Sequence, residues 1–179
     1  MDFEKYLKHG AARSTYAAGP AGFLEVLDYL EDRANGRLGL TVMDVGAGNL
    51  EHTMKMRGAG FKVTPVDYDP QTPEVEKADM HDLRQYGEET LDFIVCHHTF
   101  EHAVAPLIVL SEFFRLLKHN GKAIIVVPDD LVESWFGEKS HVGLISEKLM
   151  RLLCMRVGFT VVHRTQICGS SVMWVLEKP

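Results

Sequence analysis

The stretch HHTFEH, residues 97–102, gathers His97, His98, Glu101 and His102 into six positions. Histidine is the side chain whose proton affinity lies nearest neutrality, so such a cluster suits general base catalysis. His98, His102 and a more distant His141 are the candidate bases. If the chain is helical from residue 99 onward, His98 and His102 stand about one turn apart on one face. A second reading makes Glu101 and His102 a structural pair. A third gives His98, Glu101, His102 and His141 to a divalent metal, and it is the least favoured of the three.

A second constellation offers a cradle rather than a base. In TVMDVGAGNL, residues 41–50, an apolar strand carries Asp44 near its end, and Gly46 and Gly48 follow. Glycine lets the backbone turn sharply and lets a ligand approach it. A helix beginning just after would present unpaired N–H groups. A dinucleotide fingerprint needs a glycine where Glu51 stands, and that carboxylate would face two phosphates. The Gly-Lys-Ser/Thr of a phosphate loop is missing as well. Asp44 suits a ligand with a positive end.

The elements that must position these residues alternate between helix and strand. Helical spacing covers 20–34, 49–59, 105–118 and 145–157, with Pro106 in a first turn and HNG as a stop. Apolar strands are LTVMDV, FKVTPVD, LDFIVCHH and KAIIVVP, and FTVVHRTQI and SVMWVLEK flank a CGSS turn. Alternation of this kind predicts a parallel sheet covered on both faces, and the tight last connection predicts an antiparallel final strand. Between Asp67 and Leu91 only KADMH reads as a strand, and two prolines shorten any crossover helix.

The chain has 179 residues and a formal net charge of −6, with no run of like charge. That size suits one domain: an arm or lid over 1–19, a core over 20–179, and an insertion near 129–143 with Trp135 and Phe136 as an apolar wall. The charge disfavours nucleic acid and anionic membrane as partners. Cys96, Cys154 and Cys168 match no disulfide or zinc spacing and read as buried thiols. With no apolar leader core and no apolar run of about 20 residues, the expectation is a reduced, cytoplasmic protein.

VMDVGAGN resembles the first motif of class I S-adenosylmethionine-dependent methyltransferases, acid-x-Gly-x-Gly-x-Gly. VTPVDYD resembles their second strand, which ends in an acid, and KADMHDL the segment that frames the adenine. LDFIVCHHTFEHAVAP, EFFRLLKHNGKAIIVVP and GFTVV resemble the fourth to sixth strands of the small-molecule, type 11-like members. The matches keep the family's order over residues 38–179. The resemblance implies a Rossmann-like, doubly wound α/β fold with a seven-stranded, mostly parallel sheet in the order 3-2-1-4-5-7-6.

It also implies S-adenosylmethionine as cofactor and S-adenosylhomocysteine as product. Gly46, Ala47 and Gly48 would pass beneath the methionine part, with Asp44 orienting that loop or reaching the amino group. Asp67 would accept from both ribose hydroxyls, as a carboxylate can from a vicinal diol. Tyr68 would pack on the adenine. Asp79 would accept from its exocyclic amine, with the Met80 N–H opposite a ring nitrogen. Cys96 and His97 would lend backbone carbonyls. Asn49 takes the third glycine position, followed by Leu50, and asparagine tolerates positive φ. The metal reading resembles the Glu-x-x-Glu-His set of small-RNA 3′-end and some quinone-pathway methyltransferases, with His98 in place of the first Glu.

The expected activity is methyl transfer to an O or N atom of a small molecule. CHHT stands where amino-methylating enzymes of nucleic acids and proteins carry Asn/Asp-Pro-Pro-Tyr/Phe. The alternatives are a methyltransferase for a macromolecule or carrier-bound intermediate, and a catalytically silent cofactor-binding module. Acceptor and oligomeric state stay open.

Overall fold

The structure, a computed structural model, describes residues 20–129, 141–142 and 145–179. The expected arm over 1–19 and most of the insertion, with Trp135 and Phe136, lie outside the described residues. In chain order the elements are α1 (Pro20–Ala34), β1 (Thr41–Val45), α2 (Glu51–Gly58), β2 (Lys62–Asp67), β3 (Glu76–Lys77) and β4 (Leu91–His97). A 3₁₀ turn (Phe100–His102), α3 (Pro106–Leu116), β5 (Leu117–Pro128), α4 (Glu147–Val157), β6 (Thr160–Ile167) and β7 (Ser171–Glu177) follow.

One seven-stranded sheet runs β3-β2-β1-β4-β5-β7-β6. The pairs from β3 to β5 are parallel, and β7 is antiparallel to both β5 and β6. Period-two alternation divides each central strand between two cores. Val42, Phe93, Val95, Ile124, Val126, Met173 and Val175 face one side, where Phe23, Val26 and Leu30 of α1 and Met56 of α2 cover them. Met43, Ile94, Cys96, Ile125 and Trp174 face the other, under Leu110 and Phe113 of α3 and Met150 and Cys154 of α4. Burial on both faces explains the unbroken apolar run of β4.

Several expectations are corrected. The third strand is Glu76–Lys77, not KADMH, and among the described residues no helix lies between β2 and β4. Side chains of α3 hold the segment instead. Glu112 Oε2 accepts from Leu83 N–H at 2.8 Å, and Arg115 donates to Leu83 O and Tyr86 O at 2.9 and 3.0 Å. The helix before β5 also stops at Leu116, not 118, and HNG becomes an irregularity within β5. Leu117 pairs with Leu91 and Lys122 with Phe93, so the residues between bulge outward.

Asn120 adopts φ 61 in that bulge, and a Cβ on Gly121 would meet Lys118 O at 2.8 Å and Asp92 O at 3.2 Å. Gly121→Ala should therefore lower stability by about 1–3 kcal/mol, because both obstacles are backbone. Urea unfolding measures this, and an unchanged midpoint would remove the steric account.

Candidate active site

The carboxyl ends of the parallel strands carry the residues of interest, the edge where open α/β sheets bind ligands. The turn after β1 is sewn to the end of β2. Gly46 N–H and Ala47 N–H both donate to Val66 O, at 2.9 and 3.1 Å, and Gly48 N–H donates to Asp67 Oδ2 at 3.0 Å. Asp67 Oδ1 accepts from Asp69 N–H at 2.9 Å. Each Asp67 oxygen keeps a further lone pair for an incoming hydroxyl. Tyr68, next in the chain, is half-buried.

The reasons for the glycines differ. Gly46 sits at φ 80, and a Cβ there would collide with the Thr99 side chain from the loop after β4. Its bareness is thus required within the chain itself, by close approach of that loop. Gly48, at φ 50, would bring a Cβ no closer than 4.0 Å to Gly46 O, so its constraint is the left-handed backbone and not a clash. The third left-handed position is Leu50, at φ 69, and not Asn49. Asn49 is exposed, and its Oδ1 accepts from Glu51 N–H at 3.2 Å at the start of α2. Leucine dislikes this conformation, but its side chain is buried with Ala47 and Val75, and that burial offsets the strain.

Asp44 is 1% exposed and accepts from Thr53 Oγ1 of α2 at 2.5 Å. This bond ties the end of β1 to α2. Burial pushes its pKa up to about 6, and the Thr53 hydrogen bond opposes that. Asp79 follows β3, and its Oδ1 accepts from both the backbone N–H and the Nδ1 of His81, at 2.9 and 2.7 Å. Met80 is partly buried against the α3-side core.

At the end of β4, Cys96 is fully buried, and burial holds its thiol well above the usual range. Cys154 is buried too, but Cys168 is exposed in the β6–β7 turn, against the expectation of three buried thiols. The His97 side chain is itself packed into the site. Its ring packs edge-on against His52 at 4.6 Å and Phe23 at 5.8 Å, and Phe23 stacks on His52 at 3.9 Å. Burial pushes His97 down to about 2 and His52 down to about 4.

The chain is not α-helical from residue 99. Phe100–His102 is a 3₁₀ turn, Ala103 is extended, and α3 starts only at Pro106, whose ring disfavours helix in the residue before it. His98, at φ 50, lies between Ser171 Oγ, 3.1 Å from Nε2, and Glu101 Oε1, 3.3 Å from Nδ1. Glu101 is 2% exposed, and its Oε1 also lies 4.0 Å from His141 Nε2. Donor atoms of Glu101, His102 and His141 all fall within 4.8 Å of one another. His98 is outside that set, so the metal reading, the least favoured of the three from sequence, keeps three of its four donors.

Glu101, expected in this cluster as a partner or ligand, stands at the centre of the histidines, whereas the supporting Thr53, Thr99 and Ser171 were not among the expected site residues. Thr53 had a local signal, since it shares the inward face of α2 with Met56. Ser171 arrives from β7 and has none.

A family model described as a methyltransferase domain matches residues 13–164. The ubiquinone biosynthesis O-methyltransferase of Actinobacillus pleuropneumoniae is 31% identical over 113 residues, covering 53% of this chain and 48% of that protein. The same-named protein of Vibrio cholerae is 27% identical over 143 residues, covering 71% and 56%. The chain spans about half the length of the curated relatives it matches. Among solved structures, a SAM-dependent methyltransferase of Archaeoglobus fulgidus superposes with a TM-score of 0.68 at 13% identity, covering 84% of this chain and 94% of that one. Phosphoethanolamine N-methyltransferase 2 of Haemonchus contortus, in complex with S-adenosyl-L-methionine, gives 0.71 at 12% identity, covering 90% and 54%.

The buried imidazoles set a pH dependence. His52 and His97 are neutral when folded but take protons when unfolded below about 6.5, so each favours unfolding as pH falls. Asp44 acts oppositely, because its raised pKa adds stability that is lost as pH rises through about 6. Between pH 6 and 4 the three leave a net loss of about one proton's worth, on the order of 1 kcal/mol per pH unit on acidification. Denaturant unfolding at pH 6 and 5 should show this slope, and His97→Phe should flatten it. An equal slope in the variant would refute the assignment.

Proposed function

The chain belongs to the methyltransferase-domain family of class I S-adenosylmethionine-dependent methyltransferases, and from that premise we propose that it transfers a methyl group to an oxygen or nitrogen of a small-molecule acceptor. The observation that carries the reading is Asp67, joined to the glycine turn through Gly48 N–H and retaining lone pairs for a ribose diol. In this reading Gly46, Ala47 and Gly48 lie under the methionine part and Asp79 takes the adenine amine. Relatives named as O-methyltransferases favour an oxygen acceptor.

The bound cofactor supplies an electrophilic methyl on a sulfonium, so the chain's main task is to hold the acceptor atom in line with it. An acceptor hydroxyl must also lose a proton. An imidazole of His98, His102 or His141 takes it. Glu101, buried beside His98 and His141, stabilises the imidazolium that results.

A second reading has a specific observation in its favour. Glu101 Oε2 is buried without a hydrogen-bond partner among the described residues, and a buried carboxylate usually pairs or binds metal. A divalent cation on Glu101, His102 and His141 would suit the carboxylate and imidazole donors. It would then polarise the acceptor oxygen in place of a base. After dialysis against Mn²⁺ or Zn²⁺, elemental analysis should find near one equivalent, lost in Glu101→Gln. Less than a tenth of an equivalent would remove this reading.

For the main reading, S-adenosylhomocysteine at about a hundred times its Kd should raise stability by about 2.7 kcal/mol, several degrees in a thermal shift. NAD should not. Asp67→Ala should weaken that ligand at least about tenfold, the scale of a lost hydrogen bond to a charged group. No shift with wild-type protein would refute the proposal.

A further inference from the structure

The His81 ring bridges the turn after β3 and the residue before α3. Its Nδ1 lies 2.7 Å from Asp79 Oδ1, and its backbone N–H donates to that same oxygen at 2.9 Å. On its far side, Nε2 accepts from Ala105 N–H at 3.4 Å, on the residue that opens α3. A carboxylate on one nitrogen and an N–H donor on the other define the tautomer: the proton is on Nδ1 and the lone pair on Nε2. The ring is 13% exposed, so these partners hold it in place.

Both hydrogen bonds fall on one Asp79 oxygen. Oδ2 makes no hydrogen bond among the described residues and is not buried. Asp79 follows β3, whose Lys77 pairs with Asp67, and Ala78 N–H donates to Asp67 O at 2.9 Å. The carboxylate therefore stands one strand over from Asp67 on the same edge. We infer that His81 is a positioning residue: by engaging Oδ1 twice it fixes the carboxylate plane of Asp79 and reserves Oδ2 for the exocyclic amine of an adenine ring. This rests on the adenosine-binding reading of the site. The hydrogen bond from His81 also holds the Asp79 pKa down, so the group stays an anion and accepts only. Because Nε2 is tied to Ala105, the same ring fastens the adenine side to the loop that carries Glu101 and His102.

The test compares two ligands by calorimetry: S-adenosylhomocysteine and its 6-deamino analogue, in which hydrogen replaces the exocyclic amine. Wild-type protein should prefer the amine by about 10- to 100-fold, the scale of a hydrogen bond to a charged acceptor. Asp79→Ala and His81→Phe should bring that ratio near one, through weaker binding of the amino ligand. His81→Asn, whose amide can still donate to Asp79, should keep most of the ratio. A ring that only braces the turn would lower the unfolding midpoint in His81→Phe and leave the ratio untouched, which overturns the inference. A wild-type ratio near one overturns it without any variant. Failure of wild type to bind either ligand overturns the adenosine reading itself, a distinct result.

Discussion

Three backbone N–H groups, those of Gly46, Ala47 and Gly48, all point at the end of β2, two at Val66 O and one at the Asp67 carboxylate. This stitch makes the glycine turn and the second-strand acid one object. The turn cannot shift without releasing buried or half-buried polar groups, and such groups are costly to leave unpaired. Asp44, buried behind it and bonded to Thr53, anchors the same turn to α2. The cradle is thus braced from β2 on one side and from the helix on the other, which is how a site keeps its geometry before a ligand arrives.

The loop after β4 is braced just as closely. Thr99 rests on the bare Cα of Gly46, and His98 is held by Ser171 from β7. His97 locks into the rings of His52 and Phe23 below. Glu101 sits where these contacts converge, a buried acid beside imidazoles. Methyl transfer asks mostly for placement of two reactants, and the cradle and this loop meet at Gly46 and Thr99. Any acceptor held by the histidines would stand next to whatever the glycine turn holds.

The antiparallel last strand and the two-sided burial of β4 were legible because they follow from connection length and from an unbroken apolar run, whereas the strand order was implied only by the motifs' resemblance to the family. The positions of Asp44 and Asp67 were legible, since acids at the ends of apolar strands leave a local trace. What escaped was set by long-range partners. Leu50, and not Asn49, takes the left-handed φ because Ala47 and Val75 can bury its side chain. The helix expected before β4 is absent because Glu112 and Arg115 of α3 do its work. The donor set around Glu101 lost His98 because Ser171, more than seventy residues away in sequence, holds that ring.

A crystal structure of the chain with S-adenosylhomocysteine tests the central claim most directly. It should place both ribose hydroxyls within hydrogen-bonding distance of the Asp67 carboxylate, about 2.5–3.2 Å, with the Gly48 N–H bond to that side chain preserved. A nucleoside bound elsewhere, or an Asp67 turned away from the sugar, would contradict it.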